Sequence, residues 1–168
     1  ILKTYDRKFV LDSMLYMAGI FDMNDATEKE VLFRVGSDTE NSNSIISNIT
    51  SARENARGAR NAISTDLWEA INKYYHMVTS YPVDTYLSTG LYEYTQMILD
   101  QNSIVNSKIS STLLHDEEWA VILIGMYIER AIQIIRIINA KLHDVYKIEQ
   151  SGHPVTEMSF EWTTLLKC

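Results

Sequence analysis

Apolar residues recur three and four positions apart through most of this chain, and short polar breaks divide the recurrence into helices. Over residues 5–21 the apolar positions are Phe9, Leu11, Leu15, Tyr16, Met17 and Ile20, which predicts an amphipathic helix stopping near Asp22. Asn24 or Asp25 is placed to cap the next helix, over 29–35, and Gly36 reads as its left-handed terminator. The all-polar stretch 37–44 then offers Asn43 or Ser44 as the cap of a third helix. Ser64-Thr65-Asp66 marks a kink or re-cap before a helix bearing Trp68, Ile71, Tyr74, Tyr75 and Val78, which stops before Pro82. Residues 84–114 continue the helical spacing, with Gly90 and Asn102-Ser103 as candidate breaks. Asp116 caps a last long helix running to about Glu149, and 160–167 would form a short tail helix. The pattern therefore predicts an all-α fold, an antiparallel multi-helix bundle of about five to seven helices with long central helices, in one domain over residues 1–168.

The third helix has the narrowest apolar stripe. Ile45, Ile49, Ala52, Ala56, Ala59 and Ile63 step by four and three, like a coiled-coil seam, and three consecutive positions are alanine. Small residues let a neighbouring helix come close and expose to it the long side chains flanking the seam. Those are Arg53, Arg57 and Arg60, with Glu54 beside them. Like charges four residues apart repel on an isolated helix, so an acidic or anionic group is expected opposite. A carboxylate forked by guanidinium groups, a bound carboxylate or phosphate, and a solvated row all fit that spacing.

The last long helix holds a complementary anomaly. Within the isoleucine-rich run from Trp119 to Leu142 stands the charged doublet Glu129-Arg130, and Glu129, Gln133, Arg136, Asn139 and His143 share an arc of roughly 120° at 3.6 residues per turn. Tyr127, Ile128, Ala131, Ile132, Ile134 and Ile135 leave little solvated face near Glu129, so the stripe reads as a buried polar track supplied with partners by the arginine row. The alternative is the solvent-facing stripe of a surface helix.

Composition narrows the classes of function. With 46% apolar and 22% charged residues, usage is that of an ordinary globular domain, and six glycines with two prolines favour long helices. A net charge of −7 disfavours nucleic acid and anionic membrane surfaces. Arginines inside the apolar run, each costing about 2.5–3.5 kcal/mol at a bilayer centre, argue against a membrane span. Cys168 is the only cysteine and 1–9 lack the apolar core of a secretion signal, so a reduced cytoplasm is the expected location.

Familiar catalytic patterns do not occur. No glutamate precedes a histidine by three positions, and there is no HExxH, GxGxxG, Walker loop or GxSxG, so no metal, no cofactor and no reaction is read from the residues. His76, His115, His143 and His153 are dispersed and read as helix-end or surface residues. Six of the ten tyrosines fall between Tyr74 and Tyr94, which reads as packing around Pro82.

Two segments carry a resemblance. SARENARGARNAISTDLWEAINKYY, residues 51–75, and WAVILIGMYIERAIQIIRI, with Trp119, Gly125, Glu129, Arg130, Ala131 and Arg136 in the expected places, resemble the bacterial alpha-E family of helical domains named for a Glu-Arg motif. Residues 41–45 look like a variant of that family's Asn-Pro-Ser-Ser-Ile cap without the proline; Met126 and Ile132 stand where an arginine and an acidic residue are common. The resemblance implies a chain truncated relative to typical members, roughly one unit of a longer duplicated domain.

It also implies a role beside ATP-grasp and transglutaminase-like proteins in peptide synthesis or modification, an expectation from association. On that expectation the chain is an accessory module that docks such a partner, with Glu129, Arg130, Arg136, Gln133, Arg53, Glu54, Arg57 and Arg60 as a structural polar cluster. An alternative makes the same cluster catalytic or ligand-binding, Glu129 acting as acid/base and Arg53, Arg57 or Arg130 orienting a peptide carboxylate. A third has two copies forming a homodimer, each filling the position of the missing half-repeat.

Overall fold

A computed structural model describes residues 7–21 and 26–150. Among them are seven helices and no strand: α1 Arg7–Met17, α2 Glu28–Gly36, α3 Ile45–Gly58, α4 Thr65–Thr79, α5 Val83–Thr89, α6 Tyr92–Thr112 and α7 Glu117–Gln150. The fold is all-α. Asn24, Asp25 and the tail helix expected over 160–167 lie outside the described residues.

Local chemistry explains most of the boundaries. Thr27 caps α2 in a reciprocal box: its hydroxyl accepts from the Glu30 amide while Glu30 accepts from the Thr27 amide at 2.8 Å. The Thr27 hydroxyl also donates to Glu30 Oε2 at 2.7 Å, and this bond together with that from the Thr27 amide holds the Glu30 carboxyl below its ordinary range. Ser44 caps α3 and Ser64 caps α4, each hydroxyl accepting from the amide three residues on. Asp116 accepts from the Trp119 amide at 3.1 Å to open α7.

Two glycine readings change. Gly36 ends α2 without a positive φ, and it is glycine for another reason: a Cβ there would stand 2.8 Å from the Tyr86 hydroxyl oxygen. Gly19, at φ +76, and Gly90, at φ +91, do need left-handed freedom, and Gly90 separates α5 from α6. The Asn102-Ser103 step lies inside α6 without breaking it.

The chain divides into two compact units, 1–126 and 127–168, and α7 contributes residues to each. In the first unit α4 packs on both α3 and α6, while α2 packs on α1, α3 and α5. The α3–α4 pair is joined by a short turn, which makes the two antiparallel neighbours. Its core gathers Leu32, Ile49, Tyr74, Val78, Tyr86 and Tyr94. Tyr86 and Tyr94 are stacked at 5.0 Å between centroids with Tyr81 against both, so the tyrosine-rich stretch around Pro82 is packing except at Tyr92, which is exposed. Ser37 and Tyr86 share a hydrogen bond across the α2–α5 contact. Beside it Arg34 pairs with buried Asp38 at 2.6 Å and holds that carboxyl below its usual range.

The second unit, taken by itself, is described as the rod of α7 from Tyr127 onward. Among the described residues no helix is long and apolar enough to cross a membrane.

Candidate functional site

Arginine side chains are long enough to bend back over a neighbouring helix, and α3 uses that reach. Arg53 leaves the alanine stripe and lies over α4: its guanidinium carbon is 4.6 Å from the Tyr75 ring centre and 5.9 Å from that of Trp68. Its Nε donates to Asn72 Oδ1 at 2.8 Å. Arg60 also reaches Trp68, 5.6 Å from its ring centre, and its Nη2 lies 3.5 Å from the Thr65 hydroxyl. Trp68 is thus approached by two guanidinium groups, a geometry an aromatic face tolerates because its quadrupole attracts cations.

The acid that serves this row lies on α3 itself. Glu54 pairs with Arg53 Nη1 at 3.1 Å through one oxygen and with Arg57 Nη2 at 2.5 Å through the other. The structure therefore joins Arg53, Glu54 and Arg57 in one bridge and turns Arg53 and Arg60 onto α4. The sequence reading named the cations and Glu54 but missed Thr65, Trp68, Asn72 and Tyr75. Their signal was present: Trp68 and Tyr75 are seven residues apart, with Asn72 between, and so lie on one face of α4.

The alanine stripe faces elsewhere. Ala56 is buried, yet Ala52 and Ala59 are exposed and line a cavity of about 510 Å³. Asn55, Ala62 and Ile63 continue its floor, Leu67 and Ile71 of α4 and Ile109 of α6 form one wall, and Glu117, Glu118, Val121 and Ile122 of α7 form the other. The expected close-packed seam is thus, within this unit, an apolar groove edged by two carboxylates. The reason is geometric: α4 packs on α3 from the side of Ile49, Ala56 and the arginines, and the remaining alanines fall past its edge.

In the second unit Gln133 Nε2 donates to Glu129 Oε1 at 2.5 Å, one helical turn away. The Arg130 guanidinium carbon lies 5.7 Å from the Tyr127 ring centre. Glu129, Arg130 and Gln133 are exposed on this helix, whereas Ala140 and Val145 further along it are buried. Arg136 stands one turn beyond Ile132 on the same rod.

A helical domain with aromatic-stacked arginines at its α3–α4 junction and a Glu-Arg doublet on its longest helix is the class these elements define. Residues 4–168 match the Alpha-E family, described as a predicted alpha-helical domain with a conserved ER motif, and the chain belongs to that family. No curated protein and no solved structure matches it.

Proposed function

We propose that this domain is an accessory module that works in the cytoplasm by docking a protein of ATP-grasp or transglutaminase-like type, and that it carries out no reaction of its own. One observation supports this over a catalytic reading. The cations available to orient a substrate carboxylate are engaged by their own fold, Arg53 by Tyr75, Asn72 and Glu54, Arg57 by Glu54, Arg60 by Trp68, and Arg130 by Tyr127. The concave surface is instead apolar, as expected of a place that receives another polypeptide. On this reading Glu129, Arg130, Arg136 and Gln133 serve the fold.

The test is reconstitution. The purified chain is mixed with ATP-grasp and transglutaminase-like proteins, and complex formation is followed by calorimetry and size exclusion. A stoichiometric complex, with no turnover of peptide or ATP by the chain alone, is the expected result. Turnover by the isolated chain that disappears in Glu129→Gln, without loss of melting temperature, would establish the catalytic reading instead.

A further inference from the structure

The groove of the first unit has features that specify its occupant. Its floor runs from Ala52 through Ala56 to Ala59, about 10 Å or two helical turns at 1.5 Å per residue, with side chains too short to fill it. Small residues at four- and three-residue steps let a second helix lie close along α3, while Leu67, Ile71, Val121 and Ile122 rise on either side to meet apolar side chains inserted from above. At the α7 edge stand the exposed carboxylates of Glu117 and Glu118, and among the described residues no cation pairs with either. Both lie in the first turn of α7, which fixes them at that edge. We infer that the groove binds an amphipathic helix of a partner protein, with apolar residues at i, i+3, i+4 and i+7 toward the alanines and lysine or arginine where that helix passes Glu117 and Glu118.

This assignment rests on the accessory-module reading above and gives its partner a chemistry. Charge selects the occupant. The chain carries a net charge of −7, so a basic segment is drawn toward it, whereas a second copy brings the same excess of acid. The helix shape follows from the elongated alanine floor. A compact small molecule would need polar groups converging on one point, and here Asn55 stands on the floor while the two carboxylates sit along the α7 edge.

The probe is a fluorescent synthetic amphipathic helix of about 18 residues, leucines on one face and lysines at one end, beside a twin with glutamates in place of the lysines. Anisotropy titrations use the full chain. The lysine peptide is expected to bind at least about tenfold more tightly than its twin and to weaken with added salt. Glu117→Lys with Glu118→Lys reverses the preference, and Ala52→Trp, an exposed position on the groove floor, removes binding of both. Circular dichroism establishes that Ala52→Trp keeps its helicity; if it does not, the exposed Glu117→Lys, Glu118→Lys variant decides. Equal binding of the two peptides, binding that Ala52→Trp leaves unchanged, no binding up to about 1 mM, or a homodimer that Ala52→Trp dissociates would each overturn the assignment. The two readings fail separately. If an ATP-grasp or transglutaminase-like protein binds parent and Ala52→Trp alike, the groove assignment falls and the accessory role stands. If the lysine peptide binds as described and neither protein does, the reverse holds.

Discussion

Replacing Arg53 by alanine tests whether the arginine row is part of the fold or a solvated face. The side chain is three-quarters covered, 25% exposed, and besides its approach to Trp68 at 5.9 Å makes three closer interactions. Stacking on Tyr75 at 4.6 Å, partly shielded from water, contributes about 1 kcal/mol. The charged hydrogen bond to Asn72 adds about 1.5 kcal/mol. The pair with Glu54, whose side chain is 43% exposed, adds only about 0.3 kcal/mol. Arg53→Ala should therefore lower unfolding free energy by about 2–3 kcal/mol, read from the midpoint of urea denaturation followed by circular dichroism. Arg53→Lys keeps the charge but has neither the planar face nor Nε, and should lose about 1–2 kcal/mol. A double-mutant cycle with Tyr75→Leu isolates the stacking and should return about 1 kcal/mol of coupling. An Arg53→Ala loss below about 0.5 kcal/mol, the size of an ordinary surface change, would refute the reasoning, as would zero coupling to Tyr75.

Three further outcomes follow from the same coordinates. Gly36→Ala places a methyl group 2.8 Å from the hydroxyl oxygen of Tyr86, which is 1% exposed and cannot move aside, so thermal unfolding should show a loss of about 1–3 kcal/mol. Ser64→Ala removes both the α4 cap and a 2.6 Å hydrogen bond to Thr112 at the end of α6, and should cost about 1–2 kcal/mol in the same assay. Burial raises the phenol pKa values of Tyr74, Tyr86 and Tyr94 above their ordinary 10.0, the Ser37 hydrogen bond partly offsetting this at Tyr86. Below pH 10 both folded and unfolded chains hold these protons. Above it the unfolded chain releases them first, so stability should fall as pH rises from about 10, and Tyr94→Phe should flatten that slope in melting curves. A melting temperature constant between pH 9 and 12 would contradict the buried tyrosine stack.

What the sequence made legible, and what it hid, follows from the range of each interaction. Caps act over three residues, so Asp116 could be placed by inspection, and Ser44 and Ser64 fell within the short stretches Asn43-Ser44 and Ser64-Thr65-Asp66 marked as breaks. Thr27 was passed over for Asn24 or Asp25, although Glu30 three residues later completes its box. Gly36 shows a harder kind of error: a glycine after a helical run has the same local signature whether it turns the backbone left-handed or clears space for Tyr86, which lies fifty residues away in sequence. The arginine row was only partly legible for a related reason. Periodicity gives the direction in which a side chain leaves its helix, and that direction was right, but a guanidinium five bonds from its Cα settles on whatever the next helix presents. On α4 that is two aromatic faces and an amide, so charge was answered by polarisable rings and by Glu54. The alanine stripe carries the same ambiguity. Spacing identifies an apolar face and small size says that something can approach it closely; neither says that a helix of this unit does so. Because α4 covers Ile49 and leaves Ala52 and Ala59 open, the stripe that looked like an internal seam becomes the surface on which the docking experiment turns.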